Sequence, residues 1–284
     1  WNYAAGIHHP KPAIPGEGLS LIPPKSALWL DATGKRFEDP PLVTGFDTHL
    51  LCKRIAQAPY GYSWQVMNWK IALKEIAVSG VESNPAFRDR RIFQLARDIF
   101  LGNHRLLDYL VDECEDVVVA DNTVELVDKM NQLNANSATT GGGLVEVDNV
   151  KRSIDRYDKQ IAKGPQTATD EQLRRIAQVR QWRGDRSRTC NFQRILDPKA
   201  MPLVAFREFI VSRKSMGGIQ TDLESRVLSS NGEPIKGLYA AGEAAGFGGG
   251  GISGLKSLEG TFISNCILNA RMAVRSITNR PLTP

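Results

Sequence analysis

One stretch near the C-terminus, Gly237–Ile277, limits most strongly what this 284-residue chain can fold into. It begins with a short apolar run, Leu238–Ala241, bounded by glycines on both sides. Such a run is typical of a buried strand in a parallel sheet. An acidic residue, Glu243, follows at the end of the expected strand, where a ligand could reach its carboxylate.

A glycine-rich loop and a helix follow this acidic residue. Six of the nine residues 246–254 are glycine, so the backbone can adopt positive φ and approach a ligand closely. Apolar residues then recur at helical spacing from Ile263 to Ile277, which predicts a helix with one apolar face. The first N–H groups of a helix lack intrahelical partners and carry partial positive charge. Strand, acid, loop and helix start together indicate a site for a polyanionic or electron-rich ligand.

Two commoner glycine motifs do not describe this loop. A P-loop requires its lysine directly after a glycine, whereas Leu255 separates the last glycine of the loop from Lys256. Gly246, Gly248 and Gly251 satisfy G-x-G-x-x-G, but the helix begins about nine residues later, and a dinucleotide fingerprint needs its glycines at the helix start. A flexible linker is a third interpretation, and the flanking strand and amphipathic helix argue against it.

Several segments before and within this stretch occur in a characteristic order. They are Met216-Gly217-Gly218-Ile219, Thr221-Asp222, Arg226-Val227-Leu228, Asn231-Gly232-Glu233-Pro234-Ile235, Gly237-Leu238-Tyr239-Ala240-Ala241-Gly242-Glu243 and Ser257-Leu258-Glu259-Gly260-Thr261-Phe262. In order and spacing they resemble the C-terminal signature of the fumarate reductase and 3-ketosteroid dehydrogenase flavoproteins. The glycine loop is most similar to that of the bacterial FAD-binding dehydrogenases related to 3-ketosteroid dehydrogenases.

This resemblance implies that the chain binds FAD. Glu243, which follows Gly242, would bind the ribose of the cofactor. Reduction of a flavin leaves negative charge near N1 and the C2 carbonyl, which a helix N-terminus stabilises. The backbone facing that pyrimidine side of the isoalloxazine ring would come from the start of the last helix, at Gly260, Thr261, Phe262 and Ile263.

The resemblance also predicts the fold class and the domains. We expect an α/β fold in which a partial, Rossmann-like FAD-binding domain contains an inserted α+β capping domain. Residues 1–37 would be a segment of the FAD-binding domain, residues 38–200 the capping or substrate domain, and residues 201–284 the C-terminal segment of the FAD-binding domain. A hairpin of the form D-x-x-G-x-R-F within Ala27–Phe37 recurs in the same group, where it leads into the cap.

Periodicity and turn residues predict several elements along the chain. Asp121 or Asn122 would cap a helix that turns Val124, Val127 and Met130 inward. Asn231-Gly232 would form a hairpin turn with positive φ at both residues. Further helices are predicted over Trp69–Val78 and Val150–Ala162, and a strand over Pro202–Val211.

Composition and cysteine usage limit the class of protein. With 42% hydrophobic and 24% charged residues, the chain is an ordinary globular protein rather than a disordered or fibrous one. No apolar run approaches the ~20 residues of a membrane span, and the N-terminus lacks the pattern of a signal peptide. The four cysteines form no C-x-x-C pair, which argues against zinc and favours reduced thiols. We expect a cytoplasmic protein without a metal site; the adjacent His8 and His9 are more typical of an exposed segment.

The densest basic cluster, Arg174–Arg188, holds six arginines and Trp182 within a chain of net charge +5. A solvated helical face explains such a cluster, and an RNA-binding module is the alternative. The chain contains no RNP, KH or helix-turn-helix pattern. We therefore expect no nucleic-acid partner.

Three residues are candidates for catalysis. Tyr60 and Tyr62 lie in a cap-like segment, PYGYSW, and a phenol with a lowered pKa can act as a general base toward an activated carbon acid. Packing beside Trp64 is the structural alternative for both tyrosines. Lys214 could lower such a pKa or donate a hydrogen bond to a substrate oxygen, and an exposed turn lysine is the alternative.

The substrate class follows from departures from the fumarate reductase pattern. In fumarate reductases a His two residues before Met-Gly-Gly and an Arg after the Glu bind a dicarboxylate, whereas Lys214 and Ser257 stand at those positions here. Phe247 and Ile252 make the glycine loop apolar, which better suits a hydrophobic ketone. The resemblance therefore implies an FAD-dependent dehydrogenase acting on CH–CH bonds of a ketosteroid-like substrate. A non-catalytic nucleotide- or anion-binding domain is the alternative.

The chain begins at Trp1 and carries no N-terminal G-x-G-x-x-G unit of the kind that holds the ADP half of FAD. We therefore expect a C-terminal fragment of a family member, whose partner is the N-terminal FAD-binding half of the same polypeptide. Such a fragment would bind FAD weakly or not at all and be inactive by itself.

Overall fold

The structure is a computed structural model that describes residues 2–43, 48–77, 79, 84–136, 141, 143–164, 166–214, 217–246 and 261–279. The chain divides into two compact units. The larger comprises Ala4–Gly45 and Leu50–Val211, and the smaller comprises Trp1–Tyr3, Phe46–His49 and Ser212–Pro284. The units do not divide at residues 37 and 200, where the FAD-binding and capping segments were predicted to meet. The assignment of segments to the FAD-binding and capping domains stays a prediction. The division into compact units does not indicate where a ligand binds.

A six-stranded sheet forms the framework of the larger unit. Its main path has the order β2-β1-β6-β4-β3, and β5 also pairs with β6. The β3–β4, β4–β6, β5–β6 and β1–β2 pairs are antiparallel. The strands are β1 (Asn2–His8), β2 (Gly18–Leu19), β3 (Leu28–Asp31), β4 (Ser63–Asn68), β5 (Val117–Ala120) and β6 (Leu203–Lys214).

Helices accompany this sheet. They are α1 (Thr48–Gln57), α2 (Trp69–Glu75), α3 (Pro85–Arg88), α4 (Ile92–Leu101), α5 (His104–Glu113), α6 (Thr123–Ala135), α7 (Val147–Ala162), α8 (Glu171–Val179) and α9 (Arg183–Arg188). No helix among the described residues is long and apolar enough to cross a membrane. The four cysteines are free thiols.

Side chains on both faces of the sheet are buried. Successive residues of a strand point to opposite faces, and β3 shows this directly. Leu28 and Leu30 belong to the main core, while Trp29 between them belongs to a second, smaller core with Leu51 and Ile55. The indole N–H of Trp29 is satisfied locally, since Trp29 Nε1 donates to Ser63 Oγ at 2.9 Å.

Most of the helices predicted in this unit are confirmed. Asn122 caps α6, because its side chain accepts a hydrogen bond from Glu125 N at 3.0 Å. The predicted inward face of α6 is partly wrong. Val124 is 45% exposed, and Leu126 is buried instead. The buried residues of α6 recur at spacings of three and four, so they form one face that leaves Val124 outside it: Thr123, Leu126, Val127, Met130 and Asn134.

Two charged residues of β6 are buried on opposite faces of the sheet. The Arg207 guanidinium donates to Asp116 Oδ1 through Nε at 2.9 Å and Nη2 at 2.8 Å. Glu208, only 4% exposed, receives a 3.3 Å hydrogen bond from Gln65 Nε2. Burial away from water, with the negative charge of Asp116 adding to it, raises the pKa of Glu208 to about 8.

The smaller unit contains a hairpin and the last helix. Strand β7 (Arg226–Leu228) pairs antiparallel with β8 (Pro234–Tyr239), and α10 spans Thr261–Thr278. Ser225 Oγ donates to Asn269 O at 3.0 Å, which ties the hairpin to α10. The predicted helix is confirmed, but its apolar residues are largely exposed, as with Ile263 at 69%.

Two predictions about this hairpin are wrong. The run Leu238–Ala241 was expected to be a buried parallel strand, whereas β8 is antiparallel to β7 and Leu238 is 48% exposed. A short hairpin connection permits only antiparallel pairing, and β7 is the one neighbour of β8 among the described residues. In the turn, only Gly232 has positive φ, at 85°. Its N–H donates to Ser229 O, so the loop is a three-residue turn closed by glycine.

We predict that Glu208 makes the stability of the chain depend on pH. The pKa of Glu208 is raised from 4.5 to about 8 in the folded chain, so between these values the folded state holds a proton that the unfolded state has lost. The stabilisation is therefore complete below the unfolded pKa and is lost as pH rises toward 8. The free energy of unfolding should fall by on the order of 4 kcal/mol across this window.

Urea unfolding at a series of pH values measures this dependence. Glu208→Gln, which mimics the protonated side chain, should flatten the decline, and Glu233→Gln at an exposed position should keep it. Identical pH profiles for Glu208→Gln and the unaltered chain would show that Glu208 does not titrate in this range.

Candidate functional site

Glu243 lies in a tight turn at the end of β8. Gly242 has φ of 68° and Gly246 has φ of 77°, and a 3-10 turn, Gly242–Ala245, connects them. Both positive φ values are in the region that favours glycine, so these residues give the turn its shape. Glu243 itself is exposed, and its carboxylate is therefore accessible to a ligand.

The segment after β6 packs directly on this turn. Ile219 N donates to Ala244 O at 2.8 Å. A Cβ at Gly218 would lie 2.1 Å from Gly246 N and 2.6 Å from Ala244 O, closer than any real Cβ contact with backbone. At Gly217 an added Cβ would meet nothing within 4 Å. The glycine at position 218 is thus required for the two segments to touch, whereas the glycine at 217 is not required for space.

The start of α10 lies against the same turn. Asn265 Nδ2 donates to Gly246 O at 3.4 Å, and a Cβ at Gly242 would lie 3.7 Å from Cys266 Sγ. Both residues belong to the second turn of the helix, so the adjoining first turn, whose N–H groups have no partner within the helix, follows directly on the side of the helix start. Thr261, Phe262 and Ile263 form that first turn, while Gly260 lies outside the described residues.

These groups fit the flavin half of FAD. A carboxylate accepts a hydrogen bond from a sugar hydroxyl, and N–H groups at a helix start stabilise an electron-rich carbonyl. The glycines at 218, 242 and 246 leave the backbone of the turn without side chains that would cover it. The smaller unit alone therefore supplies one acceptor and one set of donors of the required kinds.

The two candidate tyrosines have different environments. Tyr62 is 1% exposed, and its hydroxyl accepts a 2.8 Å hydrogen bond from Asn134 Nδ2. Burial raises the pKa of Tyr62 to about 12, although nearby Arg207 lowers it, so the environment of Tyr62 does not favour the lowered pKa that a general base requires. The packing alternative describes Tyr62 well, since its ring contacts those of Trp64 and Phe209.

Tyr60 is 53% exposed and lies in a 3-10 turn, Pro59–Gly61, with φ of 64°. Positive φ strains a residue other than glycine, and such strain is frequent at functional positions. A Cβ at Gly143 would lie 3.1 Å from Tyr60 Cδ2 and 2.5 Å from the Tyr62 hydroxyl oxygen, so a glycine is needed where this segment passes the two rings. Tyr60 remains the tyrosine that a substrate could reach.

Other parts of the predicted site are only partly described. Lys214 ends β6, and the structure does not describe its side chain. Phe247, Ile252 and Ser257, which supported the substrate class, lie outside the described residues.

A cluster that sequence reasoning did not find joins His8, Glu115 and Asp116. His8 Nδ1 lies 2.8 Å from Asp116 Oδ2 and 3.2 Å from Glu115 Oε1. These groups resemble metal ligands, but both Asp116 oxygens already accept hydrogen bonds, from His8 and from the Arg207 guanidinium. A buried cation beside Asp116 also opposes a second one. The cluster therefore belongs to the polar network of Asp116, and no local sequence signal connects Asp116 with His8, 108 positions away, or with Arg207, 91 positions away.

Comparison with known proteins places these features in a family. A KsdD-like steroid dehydrogenase of Mycobacterium tuberculosis is 41% identical over 279 residues, which cover 97% of this chain and 47% of that protein. A fumarate reductase of Schizosaccharomyces pombe is 48% identical over 59 residues, or 21% of this chain and 11% of that protein. The chain thus spans about half the length of the curated steroid dehydrogenase relatives it matches.

The fold has a counterpart among solved structures. The 3-ketosteroid delta1-dehydrogenase from Sterolibacterium denitrificans aligns with a TM-score of 0.55 at 15% identity, over 98% of this chain and 43% of that one. At this identity the likeness concerns the fold alone. The sequence itself matches the family model described as FAD binding domain over residues 8–263. The chain therefore belongs to the FAD binding domain family, whose cofactor is FAD.

Proposed function

We propose that this chain is part of an FAD-dependent oxidoreductase that acts on CH–CH bonds of a ketosteroid-like hydrophobic ketone. The observation that carries the proposal is the contact of the Glu243 turn with the second turn of α10, which places an exposed carboxylate and a helix start on adjoining segments. The family and the steroid dehydrogenase relatives support the same reaction class.

The flavin supplies the redox chemistry when it is bound, and this chain binds and orients it. Glu243, after Gly242, would accept a hydrogen bond from a hydroxyl of the ribityl chain, the sugar-alcohol part of the flavin half. The ribose implied by the resemblance belongs to the ADP half of FAD, so we place the ribityl chain rather than the ribose at Glu243. The backbone at Gly260, Thr261, Phe262 and Ile263 donates toward the pyrimidine side of the ring. These N–H groups stabilise negative charge there, which favours the reduced state.

We assign proton transfer to Tyr60 rather than to Tyr62. The Tyr60 side chain is half-exposed, whereas a Tyr62 pKa of about 12 leaves almost no phenolate at neutral pH. Tyr62, held by Asn134, acts as a positioning residue for the neighbouring turn. Lys214 is proposed as a hydrogen-bond donor to a substrate oxygen, because it occupies the position at which fumarate reductases carry a histidine.

Two further proposals concern the rest of the protein. The ADP half of FAD would be held by the N-terminal FAD-binding half of a longer polypeptide, which is supported by the 47% of the relative that this chain covers. The predicted cytoplasmic location is supported by the four free cysteines.

The contact at Gly218 provides a matched pair of variants. Gly218→Ala should weaken FAD binding by about tenfold, because a Cβ there forces the Glu243 turn away from its position. Gly217→Ala should leave the affinity within about twofold, since that Cβ meets nothing. Quenching of flavin fluorescence on titration with FAD measures both affinities, with each variant co-expressed with the N-terminal half of the Mycobacterium tuberculosis relative. Equal affinities for the two variants would contradict this placement of the cofactor.

The reaction class requires an assay with the remaining half of the enzyme. The chain would be co-expressed with the N-terminal half of the Mycobacterium tuberculosis relative and loaded with FAD. A 3-ketosteroid added without oxygen should then bleach the visible flavin absorbance, and succinate should not. Tyr60→Phe should slow bleaching by at least about 100-fold while flavin content stays unchanged.

The outcomes separate the alternatives. Bleaching by succinate alone would identify a dicarboxylate enzyme. A complex that holds ADP as tightly as FAD and is bleached by neither compound would support the non-catalytic nucleotide-binding domain.

A further inference from the structure

An apolar surface is exposed on α4 and at the start of α9, far along the chain from the flavin-binding residues. We call it the α4 patch. Its side chains are between 72% and 94% exposed, and the helices α4 and α9 contact each other. Single exposed apolar residues are ordinary, whereas a group of large ones marks an interaction surface. The members are Ile92, Phe93, Phe100, Leu101 and Trp182.

Helix α4 presents apolar residues on two sides. Phe93, Arg97 and Phe100 are spaced four and three residues apart, so they form one stripe, which is exposed. On the opposite side Leu95, Asp98 and Ile99 are buried or half-buried against the larger unit. The inner side of α4 is thus already packed, and the exposed stripe is a second apolar side.

Positive charge predominates in the two segments that carry this apolar surface. Residues 84–105 and 180–188 hold nine arginines and three aspartates, a net charge of +6 against +5 for the whole chain. All three aspartates lie within 4 Å of cationic side chains: Asp89 of Arg88 and Arg91, Asp98 of Arg97, and Asp185 of Lys25 and Arg188. No described carboxylate lies within 4 Å of Arg90, Arg105 or Arg183.

We propose that the α4 patch docks on the surface of an anionic lipid bilayer, with its aromatic and aliphatic side chains among the acyl chains and its arginines at the headgroups. A surface that combines exposed Phe, Leu and Trp side chains with neighbouring arginines has the chemistry of an interfacial membrane site. The helix lies in the interface and does not span the bilayer. The inference stands independently of the proposed reaction.

Charge also distinguishes this occupant from others. A second copy meeting the patch face to face would bring two sets of arginines together and repel. RNA would neutralise the arginines, but its phosphates offer nothing to Ile92 and Leu101. An anionic bilayer satisfies both the charge and the apolar side chains.

Sedimentation with lipid vesicles tests the proposal on the 284-residue chain. The chain should pellet with vesicles of equal parts phosphatidylcholine and phosphatidylglycerol, less with phosphatidylcholine alone, and less as salt is raised. The double variant Phe93→Ser/Phe100→Ser should lower the partition coefficient by about tenfold or more. Ile14→Ser/Leu144→Ser, at side chains 66% and 65% exposed elsewhere, is the matched control and should bind as the unaltered chain does.

A charge variant tests the arginines separately. Arg90→Gln/Arg183→Gln should reduce binding to the anionic vesicles severalfold, and Lys151→Gln/Lys163→Gln, at exposed positions on and after α7, should not. Because all these side chains are exposed, thermal unfolding followed by circular dichroism should be unchanged. A third measurement does not depend on the phenylalanine variants. Vesicles with brominated acyl chains should quench the tryptophan emission of the unaltered chain and should not quench that of Trp182→Phe.

Three results would overturn the proposal. The first is pelleting of Phe93→Ser/Phe100→Ser equal to that of the unaltered chain, and the second is no pelleting with either kind of vesicle. The third is a dimer seen by light scattering, or binding of RNA, that Phe93→Ser/Phe100→Ser loses, while the unaltered chain does not bind vesicles. The last result would assign the patch to another copy of the chain or to RNA.

Discussion

Strand β6 is the constraint on which the larger unit depends, because it pairs with β1, β4 and β5 and buries a charged residue on each face of the sheet. A buried guanidinium is costly unless it is paired, and Asp116 pairs with Arg207. The second oxygen of Asp116 accepts from the backbone and ring of His8. One carboxylate therefore fixes residues of β1 and β6 beside the start of β5. Glu208, on the other face, avoids the cost of a buried charge by remaining protonated at neutral pH.

In the smaller unit, close backbone contact takes the place of charge pairing. The segment at Gly218 touches the Glu243 turn so closely that only glycine fits, and the same turn contacts the second turn of α10. The Gly218 segment, the Glu243 turn and the second turn of α10 thus lie together, although they are separated in sequence. The flavin proposal follows from this meeting, since either group alone is common in proteins and would identify no ligand.

Local features could be predicted from the sequence, and long-range partners could not. The cap at Asn122 and the helix over Val147–Ala162 depend on neighbouring residues, so composition and periodicity reveal them. The pairing of Asp116 with Arg207 leaves no local signal. The predicted environment of β8 was wrong, because the apolar run Leu238–Ala241 indicates a strand but does not indicate which strand pairs with it. In the site, the order of motifs made Glu243 a candidate, but the reason for glycine at position 218 is a backbone contact visible only in three dimensions.

The central claim is that the Glu243 turn and the start of α10 bind the same flavin. Hydrogen–deuterium exchange of the chain, in complex with the N-terminal half of the Mycobacterium tuberculosis relative and at saturating FAD, tests this directly, with ADP as the comparison ligand. FAD should slow exchange in peptides covering both 240–246 and 260–266, and ADP should slow neither, because these residues are assigned to the flavin half. Protection by FAD in only one of the two peptides, or equal protection by ADP, would contradict the account.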